Sequence, residues 1–304
     1  MEHDYARGAT SVYHWTCSSE PYLTSRRCWQ ALPDIDAKTY APISFISNRT
    51  GSAVASNYSK DDRNVYFNHA KLAGAEPKSF KVLGTNWAAT PQGVHYAGEL
   101  RADIDVASLE ILYYNWARDK NAVYYSGAKV KQADPASLQV LSASYAVDRS
   151  HAFHQSEVLI SSKGRASVSS FEVLGDSGYA KDGRAVFHQG HEIRGADGAS
   201  FALLASQPDD CYAKDRNRIY YCGKAVRLGD VESFVVLDSF FAIDNDRVYF
   251  SGAAIEAADR DTFRPFEPVD TPPQAARANA EDKHNWYEVE SVSRNLIVIP
   301  KSAP

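Results

Sequence analysis

The sequence predicts a mainly β protein, built as a tandem array of about eight similar β-repeats of ~30 residues each. Composition is the first observation behind this fold class, because 18 Tyr, 13 Phe and one Met in 304 residues favour strands over helical bundles. Periodicity is the second, because an apolar residue followed by two aromatic or His positions recurs along the chain. Turn residues also stand at fixed distances from this pattern, as expected when one unit is copied.

The first anchor of each repeat is this apolar residue with its two followers. The copies are Val65-Tyr66-Phe67, Val94-His95-Tyr96, Val123-Tyr124-Tyr125, Ala152-Phe153-His154, Val186-Phe187-His188, Ile219-Tyr220-Tyr221 and Val248-Tyr249-Phe250. Successive copies are 29, 29, 29, 34, 33 and 29 residues apart. A second apolar anchor follows 15 residues later in each copy, except that Phe171 is displaced by four residues. An eighth, divergent copy is placed around Tyr40.

Aspartates stand four residues before most first anchors and predict tight turns, since a carboxylate at the first turn position accepts turn amides. They are Asp61, Asp119, Asp148, Asp182, Asp215 and Asp244. Calcium binding is the alternative for this column. It is disfavoured because each turn offers one carboxylate and a Lys or Arg flanks four of them. Glycines four residues after the anchor, such as Gly127 and Gly223, predict a second turn with positive φ.

An acidic residue with Ser or Thr three positions later precedes most second anchors, as in Asp105 and Ser108. This signature predicts a helix start that is too short for more than one turn. Each unit is therefore predicted to contain three short strands and one helical turn. Such units must stack to bury their apolar faces, either in an open, curved, solenoid-like row or in a propeller-like ring. The open form is favoured, because a typical propeller blade has four strands.

Three segments are predicted along the chain. The β-repeat array spans residues 1–266, a Pro-rich linker spans 267–274, and a C-terminal capping segment spans 275–304. Within the last, a short helix is predicted over 275–285, and strands over 286–290 and 296–299 are predicted to cover the last repeat.

The four cysteines form two pairs, and each pair encloses ten residues. Cys211 and Cys222 are predicted to face each other across a hairpin, where opposed Cβ atoms lie ~4.5–5.5 Å apart. Cys17 and Cys28 are predicted to form a second local disulfide. Two disulfides indicate an oxidising compartment. Four buried thiols in a cytosolic protein are the alternative, and zinc is disfavoured because neither pair has Cys-x2-Cys spacing.

Two segments carry a family resemblance. Arg118 to Tyr125 reads RDKNAVYY, and Lys214 to Tyr221 reads KDRNRIYY. Both resemble the motif of the DKNYY repeat family of bacterial proteins, and the resemblance extends in graded form over residues 12–266. It implies a bacterial source and a repeat fold, and it carries over no catalytic residue, cofactor or ligand.

The net charge and the hydropathy of the chain argue against two classes of partner, nucleic acid and the membrane interior. A net charge of −5 provides no basic field for nucleic acid, and no stretch of ~18 apolar residues predicts membrane insertion. A periplasmic or otherwise extracytoplasmic location, with the leader peptide removed, is predicted from the cysteines. A cytoplasmic location is the alternative.

No catalytic, phosphate-binding or dinucleotide-binding motif is found, and we predict neither an enzyme nor a cofactor. His154 and His188 could suggest a metal site beside other histidines. They occupy the column that holds Phe67, Tyr96 and Tyr125 elsewhere, so no metal is predicted.

The aromatic columns are the candidate binding surface, because neighbouring residues of a strand point to opposite faces. The candidate residues are Tyr66, Tyr124, Tyr125, Tyr220, Tyr221 and Tyr249. Burial of both columns is the alternative. The leading hypothesis is a non-enzymatic protein-binding protein of the bacterial envelope, specifically an immunity protein that blocks a secreted antibacterial toxin. A carbohydrate or cell-wall binding module with exposed Tyr rows is the alternative.

Overall fold

The computed structural model describes residues 5–7, 11–15, 29–32, 35–47, 50–68, 70–113, 115–204, 211–266, 279–290 and 294–301. In this part of the chain the structure is almost entirely antiparallel β, and the one helix is the 3-10 turn Val168–Ser170. The mainly β fold class is therefore confirmed. The chain divides into two compact units, Met1–Ala143 (unit 1) and Ser144–Pro304 (unit 2).

Unit 1 contains small sheets whose strands follow one another in chain order. The first sheet has three strands, β1 (Tyr5–Arg7), β2 (Val12–Trp15) and β3 (Trp29–Leu32). The second contains β4 (Ala41–Ile46), β5 (Ala53–Lys60), β6 (Val65–Phe67) and β7 (Ala70–Lys71). The third contains β8 (Lys81–Val82), β9 (Trp87–Thr90), β10 (Gly93–Tyr96) and β11 (Glu99–Arg101). The fourth contains β12 (Glu110–Tyr113), β13 (Trp116–Arg118), β14 (Val123–Tyr125) and β15 (Ala128–Lys129), and β16 (Gln139–Val140) follows.

Unit 2 continues the same design. It begins with β17 (Tyr145–Val147), β18 (Ala152–His154) and β19 (Glu157–Val158), followed by the hairpin β20 (Ile160–Ser161) and β21 (Gly164–Arg165). Two four-stranded sheets follow: β22 (Glu172–Leu174), β23 (Tyr179–Lys181), β24 (Val186–His188) and β25 (His191–Glu192), then β26 (Ala202–Leu203), β27 (Tyr212–Lys214), β28 (Ile219–Tyr221) and β29 (Lys224–Ala225). The last two sheets contain β30 (Val235–Val236), β31 (Phe241–Ile243), β32 (Val248–Phe250) and β33 (Ala253–Ala254), then β34 (Arg264–Pro265), β35 (Ala280–Glu281), β36 (Asn285–Val289) and β37 (Leu296–Pro300).

The prediction of three strands per repeat is wrong, because the repeat sheets from β4 onwards have four. The additional strand follows the glycine turn and usually has two residues, as in β15 and β29. A two-residue strand is too short for side-chain alternation to reveal it in the sequence.

The acidic and Ser/Thr segments form the connections between sheets. In one of them the N–H of Ser79 donates to the carbonyl of Glu76 at 3.2 Å, and equivalent bonds close the turns at Asp134, Asp197 and Asp259. Ser and Thr hydroxyls then accept an N–H from the Asp turn of the sheet that follows, for example from Lys120 to Ser108 at 3.1 Å. These hydrogen bonds therefore attach each connection to the sheet that follows it.

The irregular spacing of 34 residues is explained by the hairpin β20–β21, which is inserted between two repeat sheets. The same insertion displaces Phe171. The backbone N–H and the hydroxyl of Ser162, at the hairpin tip, both donate to the carboxylate of Glu192 at 2.7 Å. The insertion thus contacts the following sheet.

The C-terminal segment completes a repeat sheet with β34. Its strands β36 and β37 lie where strands are predicted, whereas the predicted helix over 275–285 is wrong for the described residues 279–285. The physical reason is Asp282, whose carboxylate accepts the N–H groups of His284 and Asn285 and closes a turn. Residues 267–274, the predicted linker, lie outside the described residues.

Apolar side chains of neighbouring sheets pack together. One core cluster joins Tyr212 and Ile219 of β27 and β28 to Phe234, Ala242 and Tyr249 of the next repeat. The interior of each unit therefore lies between successive sheets, and each repeat depends on its neighbour for burial.

Candidate functional site

A buried aspartate organises the turn between the two central strands of most repeat sheets. Asp215 Oδ1 accepts the N–H groups of Asn217 and Arg218, both at 2.8 Å. Its Oδ2 accepts the hydroxyl of Tyr220 at 2.7 Å and the N–H of Asp197 at 2.9 Å. The same four bonds are made by Asp61, Asp119, Asp244 and Asp282. The two turn bonds are made by Asp148 and Asp182 as well.

These hydrogen bonds keep the aspartates charged. Burial by itself raises the pKa of the Asp215 carboxyl, but the hydrogen bonds from Asp197, Tyr220 and the turn amides outweigh burial and lower the pKa. The pKa of Asp61, Asp119, Asp244 and Asp282 is lowered for the same reasons. The motif residues are thus engaged in holding the turn and its connection.

The six tyrosines predicted to bind a partner divide into two environments. Tyr66, Tyr124, Tyr220 and Tyr249 are at most 1% exposed, and their hydroxyls donate to the aspartates of the turns. They cannot present a ring to a partner, so the binding prediction is wrong for these four. Tyr125 and Tyr221 are partly exposed, and a binding role for them stays a prediction.

A further aromatic column, which the sequence analysis missed, joins successive sheets. We call its members the clamp residues: Tyr58, Trp87, Trp116, Tyr145, Tyr179, Tyr212 and Phe241. All are at most 1% exposed. They lie three residues before the position of the turn aspartate and recur with the spacings of the first anchors, which is the signal that could have revealed them.

Four clamp tyrosines bridge to the next sheet through their hydroxyls. The hydroxyl of Tyr179 donates to the carbonyl of Cys211 at 3.0 Å and accepts the N–H of Gly223 at 2.7 Å. Tyr58, Tyr145 and Tyr212 make the equivalent pair of bonds. Each bridge contacts the next sheet just before the first strand and just after the second strand of its central hairpin, so it fixes the position of one sheet against the next.

The glycine column is required by the same contacts. Gly223 has a φ of +78°, and a Cβ there would lie 2.8 Å from the Cβ of His188 in the preceding sheet. Gly127 would bring a Cβ to 2.6 Å from the ring of Tyr96. The second aromatic position of one sheet therefore packs directly on the glycine turn of the next.

Two of these second positions carry histidine. His154 packs on Tyr145 with ring centroids 4.9 Å apart, and His188 packs on Tyr179 at 4.6 Å. Burial lowers the pKa of both imidazoles, and the nearby His191 lowers it further. Both rings are therefore neutral at pH 7 and take the place of an aromatic ring.

An open cleft of about 420 Å³ lies beside these rings, at an edge of unit 2 where the turns of two neighbouring sheets meet. We call it the edge cleft. Its lining consists of Ser144, His154, Gln155, Asp176, Ser177, Gly178 and Gln189. Gln155, Asp176 and Gln189 are exposed. The lining offers hydrogen-bond donors and acceptors without a large apolar surface.

The next sheet carries a disulfide at the equivalent edge. Cys211 and Cys222 are bonded, with Cα atoms 4.6 Å apart, which confirms this prediction. The disulfide indicates an oxidising, extracytoplasmic environment. The predicted Cys17–Cys28 bond lies outside the described residues.

Sheets of one design, most of them closed by an aspartate turn and packed on their neighbours within each unit, define a tandem β-repeat protein. A profile of the DKNYY family matches residues 22–157, 102–224 and 213–291. Since these matches span most of the chain, the chain belongs to the DKNYY family. Searches of curated proteins and of solved structures find no match. Among the described residues, no helix has the length and apolar character to cross a bilayer.

Proposed function

We propose that this chain is a non-enzymatic protein-binding protein of the bacterial envelope, and that its partner contacts unit 2 at the edge cleft. The observation that carries the proposal is that the repeated side chains hold the sheets together, whereas the side chains that line the edge cleft do not belong to the repeat motif. Motif aspartates, first-column tyrosines and clamp residues are engaged in holding the sheets. Gln155, Asp176 and Gln189 lie outside the motif, are exposed, and face a common cleft.

A protein partner fits this cleft because it is open and polar. Small-molecule sites are usually enclosed and mostly apolar, whereas protein interfaces carry many exposed hydrogen-bonding groups. Stacked sheets also hold the turns rigidly, so a partner would meet a preformed surface. A carbohydrate module that uses rows of exposed tyrosines has less support, because four of the six rings are buried.

The specific partner that we propose is a secreted antibacterial toxin, which the chain would block by covering the toxin's active site. The Cys211–Cys222 bond supports a periplasmic location, where such a toxin would be met. In this role the chain needs no catalytic group of its own.

We also propose that the repeats form a solenoid-like or propeller-like row that the C-terminal sheet caps. Four strands per sheet match a propeller blade, which removes the strand-count argument for the open form. The C-terminal sheet has Asn279 at the clamp position and Glu288 at the second aromatic position. Polar residues at these two positions support a capping role, since they offer no aromatic contact to a further repeat.

Site-specific photo-crosslinking tests the proposed function. A photoreactive phenylalanine at Gln155 or Gln189, introduced into the chain in its native host envelope, should capture one and the same protein. Asn68 is the matched control, because it occupies the equivalent exposed turn position in unit 1. Capture from Asn68 as well, or no capture from the cleft positions, would contradict the cleft assignment. Purified partner should lose its toxicity when the chain is added.

A further inference from the structure

The Cys211–Cys222 bond is not needed to pair the two strands that it joins. Cys222 donates its N–H to the carbonyl of Cys211 at 3.0 Å. In the two preceding sheets the same backbone bond joins Gln155 to Ser144 at 2.6 Å and Gln189 to Gly178 at 2.9 Å, without any sulfur. The two cysteines therefore add a chemical property to a strand pair that the backbone already holds together.

A histidine from the preceding sheet faces this cysteine pair. One ring nitrogen of His188 and the two sulfur atoms lie within 4.8 Å of one another. The ring is held in place by Tyr179 on one side and by the turn at Gly223 on the other. Cysteine sulfur and imidazole nitrogen are the ligands that zinc prefers in proteins.

The Nε2 atom of His188 is buried and has no hydrogen-bond partner among the described residues. The packing of the ring therefore does not use this nitrogen.

We propose that reduction of the Cys211–Cys222 bond creates a zinc site with Cys211, Cys222 and His188 as its three protein ligands. A dithiol reductant supplies two electrons and two protons, so the disulfide becomes two thiols while the reductant becomes a disulfide. Zinc then binds as the two thiols release their protons, and water occupies the fourth tetrahedral position. Thiol–disulfide exchange with a disulfide oxidant, which takes up two electrons and two protons and becomes two thiols, restores the bond and releases the ion. The site thus reports the redox state of its compartment through metal binding.

The preceding sheet provides a matched control. His154 has the same column position and the same packing on a clamp tyrosine, but the residues at the cysteine positions are Ser144 and Gln155. A metal site that depends on both thiols and His188 should therefore be insensitive to His154.

Zinc titration of the full chain tests the proposal. The Cys17→Ser/Cys28→Ser variant is first reduced with a dithiol. The reductant is then removed under anaerobic conditions, and the protein is titrated with zinc in competition with a chromophoric chelator. We expect one equivalent to bind to the reduced protein and none to the oxidised protein. His188→Phe should weaken binding at least about tenfold, since changes around metal ligands already cost ~10–100-fold in affinity. His154→Phe should leave the affinity unchanged.

Cobalt substitution gives an independent readout. The reduced protein should show thiolate-to-cobalt absorption with a tetrahedral visible spectrum, and His188→Phe should lose the tetrahedral pattern. Phenylalanine already occupies this column at Phe67 and Phe250, so the variant is compatible with the packing. Failure of the reduced parent to bind zinc, or equal affinity in His188→Phe, overturns the proposal.

Discussion

The contacts between successive sheets differ between one place in unit 1 and one place in unit 2. In unit 1, Trp87 packs on Tyr96 with centroids 4.7 Å apart, and its indole nitrogen has no hydrogen-bond partner among the described residues. In unit 2, Tyr179 packs on His188 at 4.6 Å, and its hydroxyl bridges two backbone groups of the next sheet. Ring packing on a glycine turn is common to both places, whereas the polar bridge is not. The packing of an aromatic ring on a glycine turn is therefore the contact common to the repeats, and the hydroxyl bridge adds stability where it is present.

Loss of the glycine turn is the largest expected effect, because it disrupts the contact that both units share. Gly223→Ala should destabilise unit 2 by about 2–4 kcal/mol, from an overpacked contact with His188 and a left-handed backbone. Urea unfolding followed by circular dichroism measures the change.

Gly195→Ala is its matched control. Its φ of +80° is similar, but the added Cβ would meet only the guanidinium end of Arg218 at 3.3 Å. It should cost only the backbone strain, about 1–2 kcal/mol. Equal losses in both variants would show that packing on His188 contributes little.

The aspartate turn is the second feature common to both units. Asp215→Asn should lower the free energy of unfolding by about 2–3 kcal/mol, since an amide accepts hydrogen bonds at only one of its two ends and so loses either the two turn bonds or those from Tyr220 and Asp197. Asp246→Asn is the control, because its side chain is 78% exposed. If Asp215→Asn lowers the free energy of unfolding by less than Asp246→Asn does, the Asp215 carboxylate does not stabilise the turn.

Removal of the bridging hydroxyl of Tyr179 should have a smaller effect, and this effect should be confined to unit 2. Tyr179→Phe removes the bonds to Cys211 and Gly223 and should cost about 1–2 kcal/mol. Tyr221→Phe, whose hydroxyl makes no hydrogen bond among the described residues, should be close to neutral. Hydrogen exchange at the Gly223 amide should accelerate in the first variant alone.

The smallest effect is a pH dependence that comes from His154 and His188. Burial lowers the pKa of both groups in the folded state, so below about pH 6.5 the unfolded chain binds protons that the folded chain does not. Stability should therefore be full above this pH and fall as the pH decreases towards the folded pKa. The His154→Phe/His188→Phe variant should lose this part of the slope in unfolding midpoints measured from pH 7.5 to 5. An unchanged slope would assign the pH dependence to other groups.

The sequence predicted the parts of the fold that use a characteristic residue type. Aspartates at turns and cysteines opposed across a hairpin follow from local chemistry, and both lie where expected. The fourth strand could not be predicted, because two residues such as Ala128 and Lys129 show no alternation. Asp282 was missed because the extra chain before it obscured the repeat spacing. The edge cleft could not be predicted either, because it unites Ser144, Asp176 and Gln189 through the packing of sheets rather than through a sequence motif.

The hairpin β20–β21 shows that the chain accepts an additional segment between two sheets without a change in their design. The segment is five residues longer than the regular 29-residue spacing and ends in the exposed tip at Lys163. The sheets before and after it keep their strands and turns. For protein engineering, this connection is a natural point for grafting a peptide epitope or an affinity tag, since the inserted chain would leave from the tip and the repeats on both sides would keep their own contacts.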